Sequence, residues 1–201
     1  MHLHAGRRMA LRLAAAAIAT SLAMPALAAD GPAAQFIDKV AREVIDLIKV
    51  RTGAEREKGI REILERSFDL PYMGRSALGT HWEGTSEPLR ERFLKAAISA
   101  EAKAYSERFG QYGGQTLTVG KVVAKPNGIS TVDSKLSQSS GPPIVILWDV
   151  RDAGQGPRIA DVKIEGVSMV MTRRSDFNSY IQGRGGKVED LIIELENRAK
   201  R

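Results

Sequence analysis

The segment from Ile159 to Leu195 constrains this chain most, because its hydrophobic period changes there from two residues to about 3.6 and does not change back. In Ile159–Glu165 the polar Asp161, Lys163 and Glu165 alternate with the apolar Ala160, Val162 and Ile164, the pattern of a half-buried antiparallel strand with one wet face. Gly166 ends the alternation. From Val167 onward Met169, Arg173, Phe177, Tyr180 and Ile181 recur at helical spacing, with Ser168 and Ser175 both suited to cap a helix N-terminus. Beyond the turn Gly183–Lys187, Val188, Leu191, Ile192 and Leu195 make one stripe among Glu189, Asp190, Glu194 and Glu196, so the last helix docks by one face.

Upstream, the pattern is helical as far as Phe109. Phe36, Ile37, Val40, Val44, Leu47 and Ile48 define a first helix from Pro32 to about Val50, and Ile60, Ile63, Leu64 and Phe68 a second from Glu55. A third starts at Asp69 and stops at Gly79, and a fourth, capped by Thr85 or Ser86, carries a face of small residues (Ala96, Ala97, Ala100, Ala104) that permits close approach. Gly110, Gly113 and Gly114 then switch the period. Four strands are predicted at Thr116–Ala124, Ile129–Leu136, Ile144–Val150 and Arg158–Glu165. Short turns at Pro126-Asn127-Gly128 and Asp152–Pro157 and a longer one at Ser139–Pro143 make the four an antiparallel meander. The fold class is α+β: N-terminal helices, a four-stranded meander sheet and C-terminal helices. Ile144–Trp148 is apolar on both faces, which predicts a central strand covered on both sides.

The first 28 residues read as a signal peptide, with Arg7, Arg8 and Arg12 before the apolar run Leu13–Leu22, and Ala26-Leu27-Ala28 as the cleavage site. The run is far shorter than the roughly 20 residues of a membrane span. Cleavage leaves residues 29–201 as one domain, mature from Ala29. It removes three arginines and no acid, so 27 basic residues face 24 acidic ones and the formal charge falls from +6 to +3. With no cysteine, the domain is held by packing alone.

Two blocks carry a resemblance. Glu165-Gly166-Val167-Ser168-Met169, Arg174-Ser175-Asp176-Phe177, Ile181-Gln182 and Gly185-Gly186 form one, and Phe68-Asp69, Met73-Gly74-Arg75, Leu78-Gly79 and Trp82 the other. Together, in this order, they resemble the MlaC-type toluene-tolerance family of periplasmic phospholipid carriers, with Gly74 standing where that family is expected to have Ala. A related, hopanoid-associated HpnM type shares the blocks. The resemblance implies a periplasmic carrier that maintains outer-membrane lipid asymmetry, with an apolar cavity between sheet and helices and the headgroup at its mouth. It implies docking to an inner-membrane MCE-type ABC transporter and to an MlaA-like outer-membrane lipoprotein complex. The wall is expected from Tyr105, Phe109, Val145 and Leu147, and from Val162, Ile164, Met169 and Met171. Arg173 and Arg174 are the candidates for the headgroup.

The remaining chemistry is sparse. His2 and His4 leave with the signal peptide, so His81 is the one histidine of the mature chain, and without cysteine it makes neither a usual zinc site nor a nucleophile pair. Gly183–Val188 lacks the spacing and the Ser or Thr of a phosphate loop. Dispersed charge and few aromatics argue against nucleic acid. The expectation is a non-enzyme without cofactor, whose cargo is the phospholipid itself.

Overall fold

The computed structural model describes residues 31–201; the signal-peptide reading and the Ala29 boundary lie outside them. Helix α1 (Pro32–Val50) uses Pro32 in its first turn and buries Ala34, Ile37, Val40 and Ile48. Helix α2 (Gly53–Ser67) begins two residues before Glu55 and turns Ile60 and Ile63 inward. In α3 (Leu70–Leu78) the Asp69 side chain accepts from the Tyr72 amide at 3.2 Å, and Gly79, at φ +58°, stops the helix. A 3-10 turn, Gly79–His81, leads to α4 (Glu87–Phe109). Ser86 holds the cap position there, while the Thr85 hydroxyl donates to the His81 carbonyl at 2.7 Å.

The sheet has five strands in the order β1 (Leu117–Ala124), β2 (Ile129–Leu136), β3 (Ile144–Asp152), β4 (Pro157–Ile164) and β5 (Val167–Ser168), all antiparallel. The four predicted strands are present. The fifth corrects the sequence reading, which began a helix at Val167. Glu165 and Gly166 both have positive φ, +50° and +81°, the requirement of a two-residue type I′ hairpin. Val167 therefore folds back onto Ile164 and Ser168 onto Lys163 before the helix begins. Helix α5 (Met169–Gln182) is capped by Ser168, whose hydroxyl accepts from the Met171 amide at 3.1 Å; Ser175 lies inside it. Helix α6 (Val188–Arg198) ends the fold.

The outer edge of β4 is covered at both ends. Beside β5 at one end, the Phe68–Asp69 backbone lies against Ile159 at the other, with the Asp69 amide donating to the Ile159 carbonyl at 2.8 Å. An edge blunted in this way does not template pairing with another chain.

The core is divided. One cluster joins Ala34, Ile37, Val40 and Ile63 of α1 and α2 to Val122, Val132, Val150 and Ile159 of the sheet, with Trp148 and Val162 packed against it. The other belongs to helices alone: Ala77 and Leu78, Phe93, Ala96 and Ala100, Phe177 and Ile181, and Leu191, Ile192 and Leu195. Phe93 and Phe177 meet edge-on there, ring centres 5.7 Å apart.

Candidate functional site

Strand alternation sorts the expected wall residues. Trp148 pairs with Val132 and Val162, and Ile146 with Ile164, so Val162 and Ile164 point to the face that α1 and α2 cover. Val145 and Leu147 point the other way, where Leu147 stands between Asp133 and Lys163. The structure therefore sets Val162 and Ile164 on one face and Val145 and Leu147 on the other. The expectation that β3 is covered by apolar partners on both faces is corrected here too. Its second face carries Asp149, which accepts from Lys163 at 2.7 Å, from the Thr131 hydroxyl at 2.6 Å and from Lys125 at 3.1 Å. Burial pushes the Asp149 carboxyl up, but these three donors outweigh it and hold the group below its ordinary range.

Along the covered face, burial is not uniform. Val162 is half-buried against the sheet cluster, whereas Ile164 is 38% exposed and its neighbour Val167 56%. Ile146, Ala160 and Val170 are buried yet belong to neither cluster. The seam between the end of the sheet and α5 is defined by the hairpin, which sets Val167 opposite Ile164, and by the Val170 amide, which donates to Asp161 Oδ1 at 3.2 Å, with half-buried Met169 between them in sequence. Tyr105 and Phe109 stack on each other near the end of α4, ring centres 5.8 Å apart. Burial first, and then the nearby Glu101 carboxylate, raises the Tyr105 hydroxyl above its usual range, against the pull of Arg173 and Arg108.

The two arginines differ. Arg173 makes a two-pronged contact with Glu101 of α4, at 2.5 and 3.1 Å, and a weaker one with Asp176 at 3.4 Å. Glu101 holds it more firmly protonated than usual, in spite of burial. Such a bidentate pair consumes most of the guanidinium's donors in bracing α5 on α4. Arg174 is exposed and forms no hydrogen bond or ion pair with the described residues. Its guanidinium packs against Gly79, where an added Cβ would lie 2.8 Å from Nε. Gly79 is required by its positive φ, whereas the exposed Arg174 side chain is free to give way to a Cβ there.

Arg174 lines two adjoining clefts between α3 and α5. One, of about 400 Å³, also has Leu78, Gly79, Thr80, Met171, Ser175 and Asn178; the other, of about 520 Å³, has Tyr72, Arg75, Ser76, Gly79 and Thr80. No carboxylate lines either one. Sequence reasoning gave Thr80, Ser175 and Asn178 no binding role, naming Ser175 only as a helix cap and as part of a motif. The available signal was spacing, since 171, 174, 175 and 178 fall on one face of a helix. His81 stands at the rim, its Nε2 3.1 Å from Asn178 Oδ1. Among the described residues no group of His, Asp or Glu is placed to hold a metal ion, and no helix is long and apolar enough to cross a membrane.

A helix-covered antiparallel meander with a divided core and a basic cleft at the side of its second cluster defines an α+β domain of a known kind. The same fold is found in a phospholipid-binding protein from Ralstonia solanacearum, solved in complex with a phospholipid, with a TM-score of 0.70, 18% identity, and coverage of 85% of this chain and 98% of that one. The family model described as MlaC protein matches residues 38–197, and the chain belongs to the MlaC family.

Proposed function

We propose that this protein is a periplasmic phospholipid carrier, moving lipid between transport complexes of the outer and inner membranes. The observation that carries the reading is the shared fold with a protein solved around a phospholipid, which extends over nearly all of that chain. The physical need is one of magnitude. At roughly 0.8 kcal/mol per buried methylene, two acyl chains resist water by some tens of kcal/mol, so a carrier must replace the bilayer with apolar surface and needs no catalytic group.

The divided core supplies a place to do so. The two clusters share no residue, and in this reading the tails lie at their boundary, facing Ile146, Val162, Ile164, Val170 and Met169. Tyr105 and Phe109 are the α4 contribution to that wall. The export signal at residues 1–28 gives the address, and the docking partners are an inner-membrane MCE-type ABC transporter and an MlaA-like lipoprotein complex.

The test is a lipid extract of protein purified from the periplasm, identified by mass spectrometry. Stoichiometric phospholipid is the expected result. A polycyclic hopanoid in its place would move the protein to the HpnM type, and protein free of any lipid would contradict the carrier.

A further inference from the structure

The cleft between α3 and α5 has the composition of an anion site. Arg174 brings a full charge with unused donors. Thr80 and Ser175 bring hydroxyls, and Asn178 an amide whose oxygen is already engaged by the Nε2–H of His81, leaving its NH₂ to donate. No acidic side chain lines either cleft. The acids on neighbouring segments are engaged elsewhere: Asp176 with Arg173 at 3.4 Å, Glu83 with Arg75 at 2.6 Å, and Asp161 with the Val170 amide at 3.2 Å. Position adds to composition. Val170 lies buried at the seam, and Arg174 is four residues on, which places the two on one face of α5 about 6 Å apart.

We propose that this cleft recognises a phosphate group through Arg174, with Thr80, Ser175 and Asn178 as neutral donors. The phosphodiester of a lipid whose tails enter beside Val170 and a free phosphate ion share the necessary chemistry. The lipid source rests on the carrier reading above. A guanidinium presents the planar fork that suits phosphate oxygens, and ammonium in its place gives a point charge only. Arg173 takes no part, since Glu101 already occupies it.

The competing account is that Arg174 serves the C-terminal end of α3, where a cation is favoured by the helix dipole. It predicts an effect on stability and none on binding, so the test reads both. Mature wild type, Arg174→Gln, Arg174→Lys and the distant exposed-charge control Lys187→Gln are loaded with phosphatidylglycerol. Release into acceptor vesicles is timed, each protein is titrated with inorganic phosphate, and thermal midpoints are recorded.

Release at least tenfold faster in Arg174→Gln, intermediate in Arg174→Lys and unchanged in Lys187→Gln, with no saturable phosphate binding, upholds the site with lipid as its source. Saturable phosphate binding abolished by Arg174→Gln upholds it with free phosphate as the source. Equal release in all four proteins together with no phosphate binding overturns it. So does a lowered midpoint in Arg174→Gln with release and phosphate binding unchanged. If wild type takes up no phosphatidylglycerol, the carrier reading fails instead, and the phosphate titration alone decides the site.

Discussion

Asp149 shows how a single residue shapes this fold. It is buried on the face of the sheet that α1 and α2 leave uncovered, and two lysines and a threonine hold it as a carboxylate. Because its folded value is below the ordinary 3.8, its contribution is complete at neutral pH and is lost as the pH falls below that value. Asp149→Asn should cost about 1–2 kcal/mol at pH 7 and progressively less toward pH 3. Urea unfolding at the two pH values checks this, and a deficit equal at both would show that the charge is not what matters. Gly74 is a second case. The family is expected to have Ala there, and in this chain the Leu94 Cδ2 methyl occupies the place of that Cβ and would have to swing aside for it. The sequence showed the glycine and not the α4 side chain that fills its space.

At the scale of elements, nearly all helices and strands were legible because each is strongly periodic and bounded by Gly, Pro, Ser or Asp. The β4–β5 hairpin was not. Glu165-Gly166 is not the Asn-Gly or Asp-Gly pair that announces a type I′ turn, and a two-residue strand has no period to detect. Glu165 tolerates its positive φ because its side chain and amide both reach Val145: Oε1 accepts from the Val145 amide at 2.5 Å, and the Glu165 amide donates to the Val145 carbonyl at 2.9 Å. Glu165→Ala should therefore lose about 1 kcal/mol, whereas Glu165→Gly should recover a similar amount by removing the left-handed strain. Chemical denaturation of the pair reads the difference, and equal losses would place the strain elsewhere. The candidate site was half legible for a related reason. Adjacent arginines look equivalent in a sequence, and only the approach of α4 shows that Glu101 claims one of them.

At the scale of the whole molecule, the account rests on a boundary between two cores. It distinguishes two residues on the same strand and face. Val162 packs against the sheet cluster, so Val162→Asp buries an unpaired charge and should cost several kcal/mol or unfold the domain. Ile164, 38% exposed at the open end, admits water to a new carboxylate, and Ile164→Asp should stay folded while losing bound lipid. Circular dichroism and native mass spectrometry on one preparation separate the outcomes; unfolding of both variants would make Ile164 ordinary core.

The location of the tails is the central claim, and photocrosslinking addresses it most directly. Mature protein is loaded with a phospholipid carrying a diazirine on one acyl chain, illuminated, digested and mapped by mass spectrometry. Adducts are expected on the seam, at Ile146, Val162, Ile164, Val170 and Met169, and on Tyr105 or Phe109 of α4. Adducts concentrated on Val145 and Leu147, across the sheet from the helices, would contradict it.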